Sequence, residues 1–245
     1  MRYATVLVLA TLTCLHAGTQ SPELADKILP IEARQAVQRY LTMKAGTVAM
    51  SPVPQDGPAS WCFKQYEAAA KTKDARITYR LISSHLQRAS QLLDGADAQN
   101  HTMGLAMVMA SANCAMERLK DGWLASHIVD GYLLGHLDRA NPSDQSYVGK
   151  TSLLTIACAI YLQAGEVERY AAAYQEMLQH ALKKSDDNTA DAARLKLADA
   201  MLKLNRPEKA KEYLDAIGPQ SSLSGGASKL LPKVMAALKA KKSGE

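Results

Sequence analysis

The spacing of its turns constrains this chain most. Breaks at Gly122, Gly165 and Asn205 lie 43 and 40 residues apart, and apolar residues recur at helical spacing between them. Each break is a link of two or three residues. So short a link forces the helices on either side to run antiparallel, as a hairpin. Ser111-Ala112-Asn113-Cys114 and Thr155-Ile156-Ala157-Cys158 repeat 44 residues apart, in the first helices of successive hairpins. One hairpin cannot bury its apolar face alone, so recurring hairpins imply a stack.

Composition supports helices. The chain of 245 residues holds 40 Ala and 31 Leu against 18 Val plus Ile. Ala and Leu lead the helix scale, whereas a sheet core needs β-branched runs. The expected class is all-α, with antiparallel helical hairpins stacked as an α-solenoid; an irregular helical bundle is the rival.

The net charge of +5 is localised. Residues 227–245 hold Lys229, Lys233, Lys239, Lys241 and Lys242 against Glu245, Arg2 adds one more, and residues 3–226 balance to zero. The body therefore has no basic field for a phosphate backbone, and no nucleic-acid partner is expected. At the other end, Met1-Arg2 precedes an uncharged run from Ala4 to Leu15, followed by His16-Ala17-Gly18. This run is too short to span a bilayer and suits a cleavable signal peptide, with cleavage near Ala17 and export to a periplasm or the extracellular space.

The expected organisation is a signal peptide over 1–17, a helical arm over 18–45 with a short helix near 22–29, and a Pro- and Gly-rich linker over 46–59. A helical-repeat domain over 60–217, a linker over 218–226 and a basic helix over 227–245 follow. Within the domain, Trp61, Phe63 and Tyr66 are expected to pack, and one helix is expected from Trp123 to Arg139, closed by Asn141-Pro142.

The last two hairpins resemble the tetratricopeptide repeat. Around Gly165 the matching residues are Leu154, Ala157-Cys158 and Tyr161, then Tyr170-Ala171 and Tyr174. Around Asn205 they are Leu197-Ala198 and Met201, then Ala210 and Leu214. The resemblance covers about residues 146–217 and departs from the family in its longer period and in Tyr170, which stands at a usually small position. It implies a tetratricopeptide-like solenoid that binds a protein or peptide on its concave face. The exposed first-helix positions of that face would include Thr155, Ala159, Gln163, Asp199 and Lys203.

Catalytic signatures are absent from the sequence: no H-E-x-x-H, G-x-S-x-G, Walker loop or Cys-x-x-Cys occurs. The expectation is a non-catalytic scaffold with no cofactor and no metal. The alternative is an enzyme or small-ligand binder using the Trp123–Arg139 helix, where His127 and Asp130 lie three residues apart and His136 lies beyond them. On a regular α-helix a nine-residue separation sets His127 and His136 on opposite faces. Gly131 and Gly135 on that helix imply close helix crossing, or else a kink. Met103, Met107, Met109 and Met116 read as core packing, with an adaptable surface or a soft-metal site as the other reading. Cys62, Cys114 and Cys158 are either buried thiols or one disulfide plus a free thiol. The tail helix, with Leu230, Leu231, Val234 and Leu238 on one side, either caps the stack or meets a membrane surface or a partner. In the latter case Lys229, Lys233 and Lys239 make the contacts.

Overall fold

A computed structural model describes residues 30–47, 58–95, 97–137 and 149–243. The expected leader, the helix near 22–29, most of the 46–59 linker and the Asn141-Pro142 break lie outside the described residues. The helices are α1 (Pro30–Ala45), α2 (Pro58–Lys71), α3 (Ala75–Asp94), α4 (Ala98–Glu117) and α5 (Gly122–Ile128). A π-helical segment (Val129–Leu134) and the short α6 (Gly135–Leu137) continue α5. Then come α7 (Lys150–Ala164), α8 (Val167–Lys183), α9 (Asp187–Lys203), α10 (Pro207–Asp215) and α11 (Ser224–Ser243). No strand occurs among the described residues. The all-α class expected from the Ala and Leu excess is what the chain adopts.

One turn formula repeats. A residue in the left-handed region ends a helix and the next residue opens the following one. Lys73, Lys120, Gly165, Ser185 and Asn205 have φ between 53° and 76°. They are followed by Asp74, Asp121, Glu166, Asp186 and Arg206 at the N-cap positions. The aspartates accept from backbone N–H groups of the new first turn: Asp74 from Arg76 at 2.9 Å, Asp121 from Leu124 at 2.9 Å and Asp186 from Thr189 at 3.0 Å. At Gly165 the cap is a Schellman-like pair, with Glu166 N–H donating to Tyr161 O at 2.9 Å. Gly122, read from the sequence as the turn, is the first residue of α5. Lys120 carries the left-handed conformation instead, and Gly122 lies where a Cβ would sit 3.3 Å from Ala164.

The helices alternate between two layers. Each of α2, α4, α7 and α9 starts a hairpin, each of α3, α5 and α8 packs between the starts of two successive ones, and α10 packs between α9 and α11; α2 also touches α4, and α4 touches α7. This is the stacking expected of an α-solenoid. One continuous core runs through it from Val37 of α1 to Val234 of α11. The expected N-terminal arm is docked rather than detached. Its α1 lies across α3, α5 and the π segment, burying Val37 and Leu41. The tail helix begins at Ser224, three residues before the expected start. It buries Val234 against α10 and α9, with Leu230 and Leu238 packed on the core, and Lys241 reaches Glu208 at 3.1 Å. It caps the end of the stack.

The helix expected over Trp123–Arg139 is not a regular α-helix. Six residues follow π geometry, where each carbonyl pairs five residues on instead of four. The cause is α1. Arg34 Nε donates to Gly131 O at 2.6 Å, and the α1 backbone comes so close that a Cβ on Gly131 would stand 2.8 Å from Arg34 N. The close-crossing reading of Gly131 and Gly135 therefore holds, and the helix is underwound there. Every residue from Leu124 to His136 is buried, so His127 and His136 are both interior whichever face of the helix each occupies.

Candidate functional site: the inner-layer groove

The inner layer carries a groove of about 370 Å³, where α2, α4 and α7 lie side by side. Phe63 comes from α2, Ala106, Met109, Ala110 and Asn113 from α4, and Ile156, Ala159, Ile160 and Gln163 from α7. The α7 set recurs at steps of three and four, so one face of that helix lines the groove. Its opposite face, with Leu154, Ala157 and Tyr161, is in the core. The lining contains no charged residue; Asn113 and Gln163 are its amide groups. A surface of this kind takes apolar side chains, and its two amides can hydrogen-bond a peptide backbone.

Two of the five face residues expected from the sequence, Ala159 and Gln163, sit in this groove. Thr155 is exposed on the preceding turn of α7, where its hydroxyl donates to Thr151 O at 2.8 Å. Asp199 and Lys203 lie on α9, outside the lining, and pair with each other at 2.9 Å. Lys229, Lys233 and Lys239 are exposed on α11. Phe63 was expected to pack, but it is 44% exposed at the groove. Its position on α2 fitted either face, and only the placement of α2 beside α4 separates the two. The four methionines behave as packing: Met107 is fully buried, and Met103, Met109 and Met116 lie against the core, Met109 also lining the groove. Among the described residues no group of three His, Cys, Asp or Glu could hold a metal ion.

The alternative constellation is interior and does not line the groove. His127, Asp130 and His136 are 7%, 8% and 2% exposed. Asp130 accepts from the Tyr161 hydroxyl and pairs with Arg169 Nε at 3.5 Å. Burial holds its carboxyl above the usual range despite both partners. His127 Nδ1 donates to Trp123 O at 2.8 Å, and the ring of His136 meets that of His101 edge-on at 5.0 Å. Neither Arg169 nor Tyr161 is close to Asp130 in sequence, and nothing in the sequence links them. The three cysteines are buried free thiols, pushed up to about 12 by burial, which decides between the two readings of them.

The sequence pattern of the tetratricopeptide repeat matches residues 159–223. The match runs from the groove-facing half of α7 through α10 and stops where α11 begins. Over these residues, about a quarter of the chain, the sequence is similar to the tetratricopeptide repeat, within a stack of helical hairpins. Such repeats are, as a class, protein-interaction scaffolds and typically not catalysts. No curated protein and no solved structure matches the chain.

Proposed function

We propose that this tetratricopeptide-like protein is exported and acts without catalysis of its own, as a scaffold for another protein in the cell envelope. It would hold an extended, apolar segment of that partner in the groove between α2, α4 and α7. The observation that carries this reading is the groove itself: an uncharged apolar lining on the inner layer, with half-exposed Phe63 at its edge. Phe63, Ile156 and Ile160 would hold the apolar anchors, Asn113 and Gln163 the backbone. Thr155, Asp199 and Lys203 extend the face along α7 and α9. The leader expected over 1–17 is the support for export to a periplasm or the extracellular space.

The tail offers a second contact. Leu231 and Met235, one turn apart on α11, are 37% and 49% exposed although Val234 beside them is buried. They would set an apolar patch against an anionic membrane surface, with Lys239 on the same side of the helix and Lys229 and Lys233 on the opposite side. No helix among the described residues is long and apolar enough to cross a membrane.

The test uses charge placed in the groove. Ile156→Asp and Phe63→Asp should abolish capture of the partner recovered with the wild-type exported protein. The double change Asp199→Ala with Lys203→Ala should weaken capture by less than about threefold, as an exposed pair contributes little. Equal capture by all three proteins would overturn the groove reading.

A further inference from the structure

We propose that His127, Arg169 and Asp130 form an acid-released latch that holds α5 and the π segment against α7 and α8. The latch stands independently of what occupies the groove. Its geometry fixes the protonation state of the closed form. Trp123 O can only accept, so the hydrogen of the neutral His127 ring is on Nδ1, at 2.8 Å from that carbonyl. Nε2 therefore presents a lone pair, and it faces Arg169 Nη2 at 3.4 Å. The same guanidinium turns its Nε to Asp130 at 3.5 Å, and Asp130 in turn accepts from Tyr161 of α7. One arginine of α8 thus ties together a histidine of α5, a carboxylate of the π segment and, through it, α7.

A second proton on His127 breaks this arrangement. Nε2 would become a donor facing donors, and an imidazolium would stand against a guanidinium in a largely buried site. The cations cannot both stay. Arg169 has a place to go, because its Nη1 is already 3.9 Å from Glu166 at the more exposed start of α8. The groups facing His127 are Trp123 on its own helix, Asp130 on the π segment, and Glu166 and Arg169 at the start of α8. Tyr161 of α7 reaches it only through Asp130. Trp123 stacks on the ring at 3.9 Å between centroids. Burial and Arg169 oppose the imidazolium; the hydrogen bond to Trp123 O, Asp130 and Glu166 favour it. Burial is the largest influence, and it holds the ring below its ordinary range. The unfolded or open form therefore takes up the proton first, and the closed latch is lost as pH falls below about 6.5. Asp130 works in the opposite sense, since burial raises its carboxyl and the closed form binds its proton more readily.

The test is amide hydrogen exchange on the full chain. Protection over the first two turns of α8 should fall at least tenfold between pH 7.5 and pH 5, after correction for intrinsic exchange. In His127→Gln, whose side chain takes up no proton, the fall should be under twofold. The same tenfold fall in His127→Gln, or none in the wild type, would overturn the latch. If His127→Gln does not fold, nitrogen NMR of the wild type decides. The Arg169 Nε resonance must move with the midpoint of the His127 titration; an Arg169 resonance that stays fixed through that titration would overturn the proposal.

Discussion

His85 sits in the interior on α3 and starts a directed chain of hydrogen bonds. Ser111 Oγ donates to Met107 O at 2.8 Å, so it accepts from the Tyr66 hydroxyl at 3.0 Å, and that hydroxyl accepts from His85 Nδ1 at 2.7 Å. Burial pulls the ring down to about 4. The unfolded chain titrates first, so this contribution to stability is complete above about pH 6.5 and is lost as pH falls towards 4. Chemical denaturation should show a loss of about 3 kcal/mol over that window, and His85→Gln should flatten it. A stability constant from pH 7 to 4 in the wild type would refute this. The cysteines give a second expectation at this scale. Cys62, Cys114 and Cys158 are buried protonated thiols, so a thiol alkylating reagent at pH 7.5 should leave the folded protein unmodified. In denaturant it should add three labels if the leader with Cys14 has been removed and four if it has not, read by intact mass.

At the scale of elements, the caps were legible and the left-handed positions only in part. Gly165 and Asn205 are residues that favour positive φ, and the sequence marks them as turns. Lys73 and Lys120 adopt the same conformation against their own preference, because the aspartate that follows each one caps the next helix. The breaks at Lys73-Asp74 and at Asp121-Gly122 were legible; that Lys73 and Lys120 carry the positive φ was not. The π segment was not legible, since its cause is the approach of α1 from almost a hundred residues away. That approach makes Gly131 indispensable. Gly131→Ala drives a methyl group against the Arg34 backbone and should cost about 2 kcal/mol or more, seen as a lower thermal midpoint. A shift of less than 1 °C would mean that α1 does not pack there. For α11, removal of residues 224–245 uncovers the core beneath Val234, Leu230 and Leu238. The melting temperature should then fall by several degrees, since one fully buried aliphatic side chain contributes roughly 1.5–3 kcal/mol. Unchanged melting would remove the capping role.

For the whole molecule, turn spacing and apolar periodicity were enough to foresee a stack of antiparallel hairpins. Both are local properties, and short links leave little freedom in how neighbours pack. The alternation of layers followed; Ala159 and Gln163 were placed by the resemblance to the tetratricopeptide repeat and not by spacing. The α2 side of the groove depends on which face of α2 meets α4, so Phe63 was read as packing. The buried Asp130–Arg169–Tyr161 cluster joins three elements through single side chains, and no spacing rule reports it. Site-specific photo-crosslinking in cells tests the central claim most directly, with the photoreactive residue placed in turn at positions 63, 113, 156 and 163 in the groove and at 168 and 209 outside it. The account predicts one recurrent crosslinked protein from the four groove positions, lost when Ala159→Asp is added at the exposed face of the groove, and none from the two others. Equal crosslinking at all six positions, or crosslinks from 168 and 209 alone, would contradict it.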